Sequence, residues 1–227
     1  MSAVRILLMG YGRMGRLVES LAPEAGVEIA GRVDIDDADR PQDWPAADVA
    51  IDFSTAVAVP ANARTLAARG THLVIGTTGW QDQEEALKRE LAAYPIGVVF
   101  APNFALGVNL FVALAARAAE MLADRPEFGA WLHELHHKAK LDAPSGTAVA
   151  IRNAMQNAGY TRPIDMASTR AGSIPGTHTV GFDSPAETIT LTHTARDRTG
   201  FARGALEAAR WVNGRRGWFS MRDVLGL

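Results

Sequence analysis

The stretch Val4-Arg5-Ile6-Leu7-Leu8-Met9-Gly10-Tyr11-Gly12-Arg13-Met14-Gly15 decides the fold. Val4 to Met9 is a short, nearly continuous apolar run, the pattern of a strand covered on both faces. It ends in a glycine turn that fits G-x-G-x-x-G. An amphipathic pattern follows, with Met14, Leu17, Val18 and Leu21 at offsets of three and four. Each glycine has its own expected task. Gly10 permits the tight turn, Gly12 lets backbone approach a pyrophosphate, and Gly15 lets helix pack close to strand. Free amides at the helix start, with the helix dipole, suit phosphate.

Working outward, Val27 to Val33 reads as a second strand ending at Asp34, which lies 19 residues after Gly15. A carboxylate there can accept hydrogen bonds from ribose hydroxyls; as a bare loop acid it would cap a helix or sit in solvent. The order strand, glycine turn, helix, strand, acid favours dinucleotide binding. Ile35 stands where an arginine would favour a 2'-phosphate, so NADH is favoured over NADPH, although Arg13 in the turn could also reach the adenosine. Asp36 to Ala47 is acidic and broken by proline, a loop. Strands are expected at Val49–Phe53, His72–Ile75 and Ile96–Phe100, with helices at Ala56–Ala68 and Gln81–Ala92. Gly76-Thr77-Thr78-Gly79 and Ala101-Pro102-Asn103-Phe104 follow two of these strands. In a doubly wound parallel sheet, ligands lie outside the carboxyl ends of the strands, which places both turns beside the cofactor.

The second half changes character. Leu106 to Ala123 is a long helix. Phe128–His137, Met166–Arg170, Thr177–Phe182 and Thr188–Thr194 read as strands, with a helix after Pro144 and another over Gly204–Asn213. A short strand is expected at Trp218–Met221. The fold class is α/β: a Rossmann-like doubly wound parallel sheet, with a second α+β domain on a mixed or antiparallel sheet from about residue 104.

Composition narrows the function. The chain has 227 residues, 48% hydrophobic and 21% charged, with a net charge of −2. That balance leaves no basic footprint for nucleic acid. Cysteine is absent, which excludes thiolate catalysis, disulfides and Cys-ligated metal. No apolar run is long enough to span a bilayer. The first residues do not read as a secretory signal, so a cytoplasmic protein is expected.

Chemistry is expected between His133 and Thr147, which holds three of the six histidines and two lysines. On a strand, His136 and His137 face opposite ways. Lys140 follows in a loop, and Ser145-Gly146-Thr147 opens a helix, with Asp142 placed to cap the turn. Histidine and lysine suit proton donation to a developing anion, and a helix start with two hydroxyls suits a carboxylate. The same stretch contains H-E-x-x-H, from His133 to His137. That metalloprotease pattern needs a helix, whereas Trp131 to His137 alternates like a strand, so no metal is expected. Solvated histidines and surface lysines are the plain alternative.

The run His136-His137-Lys138-Ala139-Lys140-Leu141-Asp142-Ala143-Pro144-Ser145-Gly146-Thr147-Ala148 resembles the signature of the 4-hydroxy-tetrahydrodipicolinate (dihydrodipicolinate) reductases of bacterial lysine and diaminopimelate synthesis. The resemblance extends to Gly10–Gly15, Gly76–Gly79, Ala101–Phe104, Arg170-Ala171-Gly172, Gly176-Thr177-His178 and Met221–Leu225. It implies reduction of a cyclic unsaturated dicarboxylate to tetrahydrodipicolinate by NADH or NADPH. Under it, His136 is the general acid/base and Lys140 the proton donor; His137, Ser145, Gly146 and Thr147 bind substrate carboxylates. Gly10, Tyr11, Gly12, Arg13, Met14, Gly15, Asp34, Gly76, Thr77, Thr78, Ala101, Pro102, Asn103 and Phe104 line the cofactor. The resemblance further implies a homotetramer formed through the second sheet and a C-terminal helix returning to the nucleotide domain. The domains are then 1–103 with 198–227, and 104–197. Another two-domain dehydrogenase of amino-acid or sugar metabolism and a non-catalytic nucleotide sensor remain the alternatives.

Overall fold

A computed structural model describes residues 3–227. The chain forms two compact units: residues up to Leu106 with Thr199–Leu227, and Gly107–Arg198.

The first unit contains β1 (Val4–Met9), α1 (Arg13–Leu21), β2 (Val27–Val33), β3 (Val49–Asp52), α2 (Val59–Ala68), β4 (His72–Ile75), α3 (Glu84–Leu91) and β5 (Gly97–Phe100). The long α4 (Leu106–Met121) begins at its boundary. The strands are all parallel, in the order β10-β5-β4-β3-β1-β2, where β10 is Gly217–Phe219. Alternation explains the continuous apolar runs. Ile6, Leu8, Val49, Ile51, Val74 and Val99 enter one core, together with the C-terminal helix α6 (Thr199–Val212). Leu7, Met9, Ala50, Leu73, Ile75 and Val98 enter the other, against α2 and α3. Two-sided burial needs apolar residues at both parities, and each such side chain contributes roughly 1.5–3 kcal/mol.

Most elements fall within three residues of the expected bounds, and two differences have a clear physical reason. Helix α6 starts at Thr199, not at Gly204. Gly204 lies inside the helix, at a point where a Cβ would run into the Phe104 carbonyl. Its glycine serves close packing and does not punctuate the chain. The last strand ends at Phe219, because Ser220 and Asp223 form a capping box that starts α7 (Met221–Leu225). The segment after Asp34, expected as plain loop, also contains short 3-10 turns at Ile35–Asp37 and Pro41–Asp43.

The second unit holds β6 (Gly129–His136), α5 (Gly146–Asn157), β7 (Ile164–Arg170), β8 (Thr177–Asp183) and β9 (Thr188–Thr194). The sheet is mixed, in the order β7-β6-β8-β9, with β6 and β7 parallel and the other pairs antiparallel. Ala130 and Leu132 on β6, with Val180 and Phe182 on β8, pack against Phe111, Ala115, Ile151 and Met155. Residues two apart on a strand share a face, so β6 carries Glu134 and His136 on its helix-covered side. Among the described residues no helix is long and apolar enough to cross a membrane.

Candidate functional site

In the first unit, β3 lies beside β1, so the chain reverses its winding between them. A cleft of about 300 Å³ opens at the carboxyl ends of these strands, the position where open α/β sheets bind ligands. Of the predicted cofactor residues, Gly10, Tyr11, Gly12 and Asp34 line it. Gly10 has φ +85, and a Cβ there would lie 2.6 Å from the Phe53 carbonyl oxygen. Gly15 is needed for a local reason, since its Cβ would meet the Gly10 carbonyl. Gly12 is the N-cap of α1 with no side-chain cap, and nothing lies within 4 Å of where its Cβ would be. Helix amides are thus presented to open space, which fits a phosphate-bearing dinucleotide. The Asp34 side chain caps nothing, although its residue begins a 3-10 turn.

The other predicted cofactor residues lie outside this lining. Arg13 is exposed and Met14 packs against the core. A Cβ at Gly76 would collide with the Phe53 ring, and Thr78 is exposed. Thr77 is buried, its hydroxyl donating to Asp52 at 3.0 Å. Ala101 and Phe104 are core residues, Pro102 is exposed, and Asn103 Oδ1 accepts from the Ala105 amide at 2.9 Å. The cleft adds Phe53, Ser54, Thr55 and Asn62, which sequence reasoning missed. Their signal was their place just beyond β3, or facing it. Ser54 and Asn62 stand on the buried Asp52 carboxylate, which accepts from the Ser54 amide at 2.9 Å, the Ser54 hydroxyl at 2.6 Å and Asn62 Nδ2 at 3.0 Å.

In the second unit the organising group is Glu134, which is 0% exposed. Arg170 on neighbouring β7 donates to it twice, Nη2 to Oε1 at 2.7 Å and Nη1 to Oε2 at 3.0 Å. His136 Nδ1 is hydrogen bonded to Oε2, and the Ser145 amide donates to Oε1 at 3.2 Å. Burial alone would raise the Glu134 carboxyl, but hydrogen bonds from Arg170, Ser168 and His136 outweigh it and hold it at about 2. Burial lowers His136; the Glu134 carboxylate opposes this, while Lys140 and Arg170 add to the lowering. His136 is therefore neutral at pH 7.

Ser145, not Asp142, is the N-cap of α5: its hydroxyl accepts from the Ala148 amide at 3.2 Å. That hydroxyl also pairs with His178 Nε2 at 3.0 Å. Burial, then the nearby His136, pushes His178 down to about 4, so the serine proton is free to go to a neutral ring. Ser145 is thus fully engaged and buried, whereas Gly146 is exposed and Thr147 half-buried. Lys140 Nζ donates to both carboxylate oxygens of Asp142, at 2.7 and 2.9 Å, and this contact lowers Asp142. His137 lies just past the end of β6, and its carbonyl accepts from the Lys140 amide at 3.1 Å. His133 is on the opposite face of β6, paired with Thr169 Oγ1 at 2.9 Å. Three groups, on Glu134, His136 and His178, lie close enough together to suggest a cation site. Arg170 already occupies both oxygens of that carboxylate, and its charge disfavours a cation.

Sequence reasoning set Glu134 aside with the zinc pattern and noted Arg170 and His178 only as parts of motifs. Glu134 could have been found by parity with His136. Its pairing with Arg170, 36 residues away, could not.

Comparison with known proteins agrees with this architecture. The family model described as "Dihydrodipicolinate reductase, N-terminus" matches residues 4–104, and that for the C-terminus matches 107–225. A protein of Acidiphilium cryptum named 4-hydroxy-tetrahydrodipicolinate reductase is 42% identical, over 99% of this chain and 98% of its own length. One of Christiangramia forsetii with the same name is 36% identical over 98% of each. In fold, the chain is similar to dipicolinate-bound dihydrodipicolinate reductase of Paenisporosarcina sp. TG-14, with TM-score 0.81 and 22% identity over 96% of this chain and 97% of that one. The first unit has the pyridine-nucleotide-binding Rossmann architecture, which fits NADH or NADPH as the source of reducing equivalents. With both halves matched and near-full-length relatives above one-third identity, the chain belongs to the dihydrodipicolinate reductase family, oxidoreductases of diaminopimelate and lysine biosynthesis.

Proposed function

We propose that this chain reduces the dihydrodipicolinate derived from 4-hydroxy-tetrahydrodipicolinate to tetrahydrodipicolinate, with the work divided between its domains. The nucleotide-binding part is 1–103 with 198–227; the part that binds substrate and assembles the oligomer is 104–197. The observation that carries the reading is the Glu134 carboxylate, which holds His136 and the Ser145 amide at once. A proton carrier is thereby fixed beside a helix start suited to an anion.

Gly10, Tyr11, Gly12 and Asp34 hold the nucleotide directly, with Arg13 to Gly15, Gly76 to Thr78 and Ala101 to Phe104 shaping the helix start and strand ends around it, and its reduced nicotinamide supplies a hydride when bound. His137, with Ser145, Gly146 and Thr147, binds the substrate carboxylates, Ser145 through its place at the helix start. Lys140 contributes positive charge and, with His136, the proton that completes reduction of the enamine-like carbanion left by hydride addition. In the free protein Lys140 is engaged by Asp142; a substrate carboxylate is of the same chemical type and can replace it. A coupled assay tests the reaction: synthase-made substrate is added and NADH loss followed at 340 nm. Oxidation that depends on substrate is expected, and its absence would return the chain to the other dehydrogenase or sensor classes.

The coenzyme is NADH in this reading. Asp34 lines the cleft, and Arg32, the nearest arginine in sequence, is tied to Glu19. A 2'-phosphate would meet a carboxylate there and no unengaged Arg32. A higher kcat/KM with NADH than with NADPH is expected, and the reverse order would overturn the assignment. The same reading takes in a cytoplasmic homotetramer. The supporting surface is the outer face of the second sheet, where Thr177 and Thr179 of β8 meet Thr194 and Thr192 of β9 through exposed hydroxyl pairs. Light scattering of the purified protein measures the assembly.

A further inference from the structure

We infer that Glu134 is a positioning residue for the reduction. It sets which nitrogen of His136 carries the proton and fixes that ring to the start of α5. The inference rests on the proposed role of His136 and deepens it.

A buried carboxylate is acceptor-only and has about four lone-pair sites. On Glu134 these are taken by two Arg170 nitrogens, the Ser145 amide and His136 Nδ1, with the Ser168 hydroxyl adding to them. Because the carboxylate stays ionised, the His136 contact is sound only if Nδ1 carries the hydrogen. Neutral His136 is therefore the Nδ1–H tautomer, and Nε2 is the nitrogen that exchanges protons. The surroundings of Nε2 agree. It faces Gly176, which has φ +134, and a Cβ there would stand 3.2 Å away. Glycine at that position keeps the working nitrogen uncrowded. The His178 ring packs edge-on against that of His136, at 5.2 Å between centroids.

The same carboxylate acts on the helix. Its bond to the Ser145 amide ties the N-cap of α5 to β6 across 11 residues of sequence. Ser145 in turn holds His178 and the Ala148 amide. Loss of the charge would release the ring orientation and the helix start together. Arg170 keeps the carboxylate from turning away, through a two-point contact that a lysine would not reproduce.

The charged and titratable groups facing His136 are Glu134 on its own strand, Arg170 on β7, His178 on β8 and Lys140 in the following loop. Only Glu134 favours the imidazolium. In Glu134→Gln that support disappears while Arg170, Lys140 and His178 remain. His136 should then lose its proton at lower pH, and the limb of the kcat profile that reports it should move down by about one pH unit.

Two measurements test this. Nitrogen-15 NMR of the imidazoles in wild-type protein, without substrate, should show His136 as the Nδ1–H tautomer above its titration; an Nε2–H tautomer would overturn the inference. In Glu134→Gln the kcat limb should move to lower pH with NADH affinity unchanged, and an unmoved limb would also overturn it. A residue that only supported the fold would lower stability and leave tautomer and limb where they were. If Glu134→Gln does not fold, the wild-type tautomer decides alone. Failure of wild type to turn over the dicarboxylate would reject the proposed function, which the tautomer measurement does not depend on.

Discussion

Around Gly10 the chain meets its cleft mainly with backbone; around Glu134 it builds its site from side chains. The glycine turn presents helix amides to open space and needs small residues because carbonyls crowd it, the Phe53 oxygen at Gly10 and the Gly10 oxygen at Gly15. The polar side chains that do reach this cleft, Ser54 and Asn62, are held from behind by the buried Asp52, which also accepts from Thr77. The Glu134 region is a network in which one buried carboxylate serves an arginine, a histidine and a helix cap. A dinucleotide can be recognised by geometry common to many sequences. A proton transfer needs particular titratable groups, held in particular states.

The difference predicts different mutational behaviour. The largest effect should come from Lys140→Ala. Losing a positioned proton donor lowers kcat by about 10²–10⁴-fold, while NADH affinity, measured by fluorescence titration, should be nearly unchanged. An unaltered kcat would remove Lys140 from the chemistry and break the division. Gly10→Ala is the matching change in the first unit. It forces φ +85 on a residue with a Cβ and places that Cβ against Phe53, a strain of about 1–3 kcal/mol. Weaker NADH binding and a lower Tm are expected, with His136 titrating as in wild type.

A smaller effect sharpens the contrast through pH. His178 is held at about 4 in the folded protein, below its ordinary 6.5. Between those values the unfolded chain binds a proton that the folded chain refuses, so stability falls as pH drops from about 6.5 to 4. From pH 7 to pH 5 the loss from this group is about 2 kcal/mol. Urea midpoints at the two pH values measure it, and His178→Gln should flatten the slope.

Legibility follows the same division. The glycine turn, Asp34 and the two-sided strands could be read because local pattern encodes them: parity for β1, spacing for the turn. The cleft residues Ser54 and Thr55 were missed because the adjacency of β3 and β1 is a tertiary fact. Gly204 misled because a glycine required by close packing looks, in sequence, like one that breaks a helix. The short helix α7 follows a capping pair, Ser220 and Asp223, that was legible and went unread. In the second unit His136, Lys140 and the Ser145 helix start stood out by residue type. The group that organises them did not, because its partner Arg170 is brought beside it only by the parallel pairing of β6 with β7.

The division of labour itself is tested most directly by titrating pyridine-2,6-dicarboxylate and NADH separately into wild type, His137→Ala, Lys140→Ala and Gly10→Ala. Calorimetry should show the dicarboxylate weakened about tenfold or more, roughly 1.4 kcal/mol, by His137→Ala and Lys140→Ala, with NADH affinity retained. Gly10→Ala should give the opposite pattern. Unchanged dicarboxylate affinity in both second-unit variants would contradict the account.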